Sequence, residues 1–320
     1  MRVLVTGITG FVGRHLAPRL MDSGHELLGI DLSRDGELPL GPAGRPVPVR
    51  AVDLAGGAGL ADLVGDFAPG AVVHLAAQSA PGLSLVDPAG TFRANLTATL
   101  MLLEALRHAA PSARLLFASS AEVYGQAGEE ALDESLPMRP TNPYGASKAA
   151  AELLVGQYAR TWELPAVVTR GFPHAGPGQR PRFALPAFAR QIARIEADLQ
   201  EPVIRVGNLD ARRDFTDVAD VVEAYARLLE SGEPGEAYNV CSGSARSIRE
   251  GLEGLLALSG REIEIVTDPS LLRPLDQPVL RGRPDKLKRA TGWAPRFSFA
   301  ETLSRVMEDW RRRVSEEDAA

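Results

Sequence analysis

The chain has 320 residues, 45% hydrophobic and 24% charged, with a net charge of −6, which gives ample core for one large α/β unit or two modest domains and disfavours nucleic-acid binding. Its one cysteine, Cys241, excludes an intrachain disulfide and a cysteine-rich metal site, so no metal is expected. No apolar run approaches the roughly 20 residues that span a bilayer, and MRVLV is too short for a signal-peptide core, so a cytoplasmic chain without membrane contact is expected.

The first predicted strand, RVLVT, runs into TGITGFVGRHL. Gly7, Gly10 and Gly13 therefore lie between a strand and a helix that starts near Phe11. In a dinucleotide-binding turn the first glycine permits the tight turn. The second lets backbone approach a pyrophosphate at the helix N-terminus, and the third lets the helix pack on the strand. Phe11 and Val12 open that helix and join the candidate cofactor wall. The second strand, ELLGI, ends at Asp31. A carboxylate there binds the adenosine ribose hydroxyls and repels a 2′-phosphate, which favours NAD(H); Arg34 nearby suits a phosphate and keeps NADP(H) open. Residues 32–44 read as a loop.

PVPVRAV, the third strand, leads to Asp53 and Leu54. Asp53 suits a contact to the adenine amino group and equally a helix N-cap. AVVHLAA is the fourth strand, bringing Leu75, Ala76 and Ala77 to the cofactor and Gln78 to the substrate side. A helix over 92–109 carries Asn95. RLLFASS, the fifth strand, ends in SSAEVYG with Ser120 and Glu122. A helix over 144–162 carries Tyr144 and Lys148 in YGASK, one turn apart on one face. The lysine charge is expected to favour tyrosinate and lower the tyrosine pKa, so that Tyr144 exchanges a proton with a substrate oxygen while Ser120 hydrogen-bonds it. PAVVTR is a sixth strand. This strand–helix alternation argues a Rossmann-type, doubly wound parallel sheet.

After about 170 the pattern changes. FPHAGPGQRPRF has no period; a helix over 183–198, a strand PVIRV and a mixture of short strands and helices follow. We expect a nucleotide-binding domain of residues 1–171 plus about 207–232. A smaller α/β substrate domain of about 172–206 and 233–320 completes the chain.

These motifs together resemble the extended short-chain dehydrogenase/reductases that act on nucleotide sugars, along nearly the whole chain: TGITGFVGRHL, HLAA, SSAEVYG, YGASK, GPGQ, VGNLDARRDFTDV, YNVCSG, RPLD and TGWAP. The C-terminal set is most similar to that of the GDP-4-keto-6-deoxy-D-mannose reductases, which form GDP-D-rhamnose, with the GDP-mannose 4,6-dehydratases next. The resemblance implies Ser120, Tyr144 and Lys148 as the catalytic set, with Asn95 and Glu122 in the site. It implies a homodimer formed as a four-helix bundle by the helices near 90–109 and 144–162. It implies a GDP-sugar substrate gripped by Arg213 and Arg273, whose guanidinium forks suit phosphates. Gln179, Arg182 and Phe183 then lie on the covering loop, Asn208 near the base and His174 on the wall, where an ordinary loop histidine is the alternative.

The reaction turns on a few departures from related patterns. The dTDP-glucose dehydratases carry Thr-Asp-Glu where this chain has Ser120, Ala121 and Glu122, so the acid is missing. Glu122 keeps a dehydratase open, with a structural hydrogen-bonding role as its alternative. The cysteine and histidine of GDP-fucose synthase fall at Glu122 and near Gly178, which argues against epimerisation. Pro173 stands where the family commonly has asparagine, and proline brings neither an amide side chain nor a backbone donor. The expected activity is NAD(P)H-dependent reduction of a keto sugar nucleotide. A dehydratase with bound cofactor is the alternative, and a redox-sensing regulator without turnover has no need of all three catalytic groups.

Overall fold

The structure of the protein is a computed structural model that describes residues 1–126, 128, 130–272 and 277–318. Its first half runs β1 (Arg2–Thr6), α1 (Phe11–Asp22), β2 (Glu26–Asp31), β3 (Gly36–Leu38), β4 (Val47–Ala51), α2 (Leu60–Phe67) and β5 (Ala71–His74). Then come α3 (Pro81–Val86), α4 (Pro88–Phe92), a π-turn at Arg93–Thr97, α5 (Ala98–Ala109), β6 (Arg114–Ser120), a 3-10 turn at Ala121–Tyr124, α6 (Pro143–Trp162) and β7 (Ala166–Gly171). The second half runs β8 (His174–Ala175), α7 (Ala184–Glu196), β9 (Val203–Val206), β10 (Arg212–Asp214), β11 (Thr216–Asp217), α8 (Val218–Ser231) and β12 (Ala237–Val240). It closes with β13 (Ala245–Ser247), α9 (Ile248–Leu256), β14 (Glu264–Thr267), β15 (Val279–Leu280), α10 (Asp285–Thr291) and α11 (Phe299–Asp318).

The main sheet has eight strands in the order β12-β7-β6-β5-β1-β2-β4-β3. All its pairings are parallel except that of β3 with β4 at the edge. The strand order reverses between β1 and β5, and ligands bind over the carboxyl ends at such a switch point. Both faces are covered, so the strands read as unbroken apolar runs. Along β1, Val3 and Val5 pack toward α1 and α8, while Leu4 packs with Leu102, Leu106 and Val155 on the opposite face. A third core joins α7, α9 and α11 through Phe188, Ile192, Leu252, Val306 and Trp310. Small sheets β13-β10-β15, β14-β9 and β11-β8 carry the connections there.

The details depart from the sequence reading in three places. Residues 36–38 of the expected loop form β3. The expected helix over 92–109 instead begins at Pro88 and carries a π-turn at Arg93–Thr97. The expected partition after 171 also shifts: β12 pairs with β7 in the main sheet, and Leu287 and Trp293 belong to the core under α1 and α8. Conversely, Leu209 and Ala211 pack with the smaller unit. A short strand read from sequence carries no information about which sheet it joins. Among the described residues, no helix is long and apolar enough to cross a membrane.

Candidate active site

The glycine loop is built for close approach. Gly7 has φ +69°, and a Cβ on it would lie 2.8 Å from the Ala76 nitrogen. A Cβ on Gly13 would lie 2.4 Å from the Ile8 carbonyl oxygen, so α1 seats directly on the loop. Gly10 caps α1 with backbone alone, and no side chain takes the first-turn amides. Those amides and the bare glycine surface fit a dinucleotide pyrophosphate. Phe11 and Val12 stand in the first turn, and Val12 packs on the core.

Asp31 ends β2 and accepts the Thr9 hydroxyl and, at 3.0 Å, the Ser33 N–H. Burial raises its pKa, but the hydrogen bonds from Thr9 and Ser33 outweigh burial and hold it below the ordinary carboxylate value. Thr9, inside the glycine loop, is an orienting group that the sequence did not reveal. Arg34 is exposed beside it. Asp53 caps the 3-10 turn at Leu54–Gly56 through the Ala55 N–H, 3.1 Å away, and pairs with Arg93 at 2.8 Å. Asp53 thus makes the N-cap bond, with Arg93 as an unforeseen partner. Leu54 is buried behind it, while Leu75, Ala76 and Ala77 leave the end of β5 half-buried.

At the end of β6, Ser120 caps the 3-10 turn by accepting from the Glu122 N–H at 3.2 Å. Asn142 caps α6, with Pro143 at its first position, a start signal legible in NPYGASK. Tyr144, Ser147 and Lys148 are buried along one face of this helix. Burial, opposed by a hydrogen bond with Ser120, pushes the Tyr144 phenol up to about 12. The lowering expected from Lys148 does not occur. The lysine donates instead to the Ala118 carbonyl at 2.7 Å and lies 5.0 Å over the Phe117 ring. Burial holds its own pKa down to about 8.

Asn95 and Glu122 are each held by hydrogen bonds, and the Glu122 charge acts on the Tyr144 phenol. Asn95 sits buried in the π-turn, a helix distortion common at functional sites. Its Nδ2 donates to Ser147 Oγ at 2.8 Å and to the Gln78 carbonyl at 3.0 Å, while its Oδ1 accepts the Gln78 N–H at 2.8 Å. Glu122 Oε2 accepts from Asn142 Nδ2 at 2.8 Å, which is the hydrogen-bonding alternative named for it. The Gln78 amide is turned onto its own loop, at Ala80 and Thr91.

The loop at 173–183 is pinned from two sides. His174 stacks on Phe11 with ring centres 5.8 Å apart and planes 6° from parallel, and it hydrogen-bonds the Phe172 carbonyl. His15 lies 2.8 Å from the Pro177 carbonyl. From α11, Asp309 accepts the Gly178 N–H at 2.7 Å and Arg313 donates to the Gln179 carbonyl at 3.2 Å. Gln179 is buried and donates to the His174 carbonyl. The Pro173 carbonyl accepts from the Thr216 N–H, so its backbone joins β8 to β11. Arg182 reaches across to Ser79 at 3.2 Å with Phe183 under its guanidinium. Arg213 lies on β10 and donates to the Arg212 and Gln277 carbonyls. Asn208 accepts the Asp210 N–H at 3.0 Å. Arg273 lies outside the described residues.

Under the Ser120 loop runs a buried polar network that the sequence did not announce. Arg170 pairs with Glu152 at 2.6 Å and donates to Tyr124 at 2.9 Å, and Tyr124 donates to Asn239 at 2.7 Å.

A family model described as GDP-mannose 4,6 dehydratase matches residues 4–306. The chain is 42% identical over 318 residues to the GDP-6-deoxy-D-mannose reductase of Pseudomonas aeruginosa, covering 99% of each. The solved structure of RMD from Pseudomonas aeruginosa complexed with NADPH superposes with a TM-score of 0.84 at 39% identity, over 98% of this chain and 99% of that one. The UDP-glucose 4-epimerase of Thermus thermophilus in complex with NAD gives 0.87 at 34%, over 97% and 99%.

Proposed function

The chain belongs to the GDP-mannose 4,6-dehydratase family of nucleotide-sugar enzymes, and from that membership we propose that it reduces the C4 keto group of a GDP-4-keto-6-deoxy-hexose to a GDP-D-rhamnose-type product. The observation that carries the reading is the whole-length likeness to a reductase in a chain that keeps Ser120, Tyr144 and Lys148 together.

A bound reduced nicotinamide dinucleotide supplies the hydride. The protein's part is to protonate and hold the C4 oxygen. Tyr144 enters as a neutral phenol, the form that reduction needs, because its proton goes to the oxygen as the alkoxide develops. An enzyme that begins by oxidising an alcohol needs the opposite form. Ser120, beside the phenol, hydrogen-bonds the same oxygen. Asn95 and Ser147 hold α6 against the Gln78 loop, so Asn95 acts as a positioning residue. Lys148 keeps a positive charge under the site near neutral pH.

Asp31, oriented by Thr9 and Ser33, supports NAD(H) as the preferred cofactor, although a relative is solved with NADPH. Arg213, with Arg273, is read as the grip on the GDP diphosphate, and Arg182 and Gln179 as the cover over the sugar. A homodimer bundled through α5 and α6 suits the exposed Leu153 and Trp162 of α6. We read it as a cytoplasmic enzyme. The retained Glu122 keeps a 4,6-dehydratase as the second reading.

The test is oxidation of NADH and of NADPH with GDP-4-keto-6-deoxymannose, beside GDP-mannose alone. Oxidation with the keto sugar, lost in Tyr144→Phe by about 100-fold or more with cofactor binding kept, is the expected result. Conversion of GDP-mannose to a keto sugar instead would make it a dehydratase.

A further inference from the structure

HLAA, the motif at the end of β5, begins with a histidine that the reaction does not use. His74 is 1% exposed and bonded at both ring nitrogens. Thr6 Oγ1 lies 2.6 Å from Nδ1 and accepts the Ala76 N–H at 3.2 Å. Thr99 Oγ1 lies 3.0 Å from Nε2, and its hydroxyl donates to the Asn95 carbonyl at 2.6 Å. The directions follow from counting protons. Thr99 has one, and it is committed to Asn95, so Nε2 must carry the imidazole proton. Nδ1 then accepts from Thr6. The chain of bonds is closed and has one polarity.

Its two ends reach different parts of the site. At one end is Ala76, the residue against which bare Gly7 packs. At the other is Asn95, whose amide holds Gln78 and Ser147, and Ser147 in turn donates to the Tyr144 carbonyl at 2.7 Å. We propose that His74 is a positioning residue that sets the spacing between the Ala76–Gln78 loop and the helix bearing Tyr144 and Lys148, acting through Thr99 and Asn95.

A ring fits this task because it accepts on one edge and donates on the other at a fixed span. It also has to stay neutral. Burial first, then the nearby Lys148, pushes its pKa down to about 3. Leucine would fill the space but leave the Thr6 hydroxyl without its acceptor and the Thr99 oxygen without its donor. Glutamine offers one acceptor and one donor and is the conservative replacement.

The inference rests on the reductase reading, so its test has one arm that needs no substrate. Ring nitrogen spectra of 15N-histidine protein should show His74 as a neutral Nε2–H tautomer that does not titrate from about pH 5 to 8. An Nδ1–H tautomer, or titration in that range, would overturn the proposal even if the enzyme turns over. In the kinetic arm, Thr99→Val and His74→Leu should each lower kcat about tenfold to a hundredfold, with the NADH Kd within about threefold. The double variant should fall no further, and His74→Gln should recover most of the rate. Losses that multiply, or that sit in cofactor binding, would count against it. Thr99→Val is nearly isosteric and serves if His74→Leu does not fold. Wild-type protein without keto-sugar turnover would sink the reductase reading instead and leave the ring spectrum to decide.

Discussion

Lys148 is a place where the fold is less stable than it need be. Burial holds its ammonium at about 8 against the ordinary 10.5. Between those values the folded chain binds fewer protons than the unfolded chain, so stability rises with pH across that window. At about 1.4 kcal/mol per unit, the buried charge costs about 3 kcal/mol at pH 7 and about 1.4 kcal/mol at pH 9.5. Lys148→Met removes that cost but leaves the Ala118 carbonyl without its donor, a loss of about 1 kcal/mol. The variant should therefore be more stable than the parent by about 2 kcal/mol at pH 7 and nearly equal to it at pH 9.5. Urea unfolding of both proteins at the two pH values measures this directly. Turnover of the keto sugar should meanwhile fall by about 100-fold or more, stability and activity moving in opposite directions. A less stable variant at pH 7, or a stability difference that does not change with pH, would refute the reasoning.

Asp31→Ala should shift the NADH-to-NADPH preference by about tenfold toward NADPH, read from the two kcat/KM values; an unchanged ratio would mean that Asp31 does not read the ribose. Glu122→Gln keeps an oxygen for Asn142 and should hold keto-sugar turnover within about threefold, whereas a hundredfold loss would give Glu122 a chemical duty. Arg170→Met strands Glu152 in the interior and should cost about 3–5 kcal/mol in denaturant unfolding, partly restored by adding Glu152→Gln.

The sheet and the cofactor loop were legible because each is written locally. Apolar runs, glycine spacing and the Asn142–Pro143 helix start are properties of neighbours in the chain. The same holds for the Tyr144 to Lys148 interval. What the sequence hid depends on partners far apart. Lys148 was expected to act on Tyr144, yet the two pKa values move in opposite directions, because burial governs both and no count of residues reports burial. Asn95 was placed in the site by resemblance, and its partners Gln78 and Ser147, 17 and 52 residues away in sequence, could not be read there. Glu122 was read two ways, and the partner that supports the hydrogen-bonding one, Asn142, lies twenty residues on. β12 is a plain strand in sequence, and only the long-range pairing with β7 assigns it to the main sheet.

The loop at 173–183 is held by Asp309, 131 residues after Gly178. On a ribosome, the glycine loop, α6 and most of the main sheet are complete long before α11 exists. A growing chain thus carries the glycine loop while the loop at 173–183 still lacks its anchor. The anchor of this loop therefore arrives late, with the synthesis of a helix distant from it in sequence.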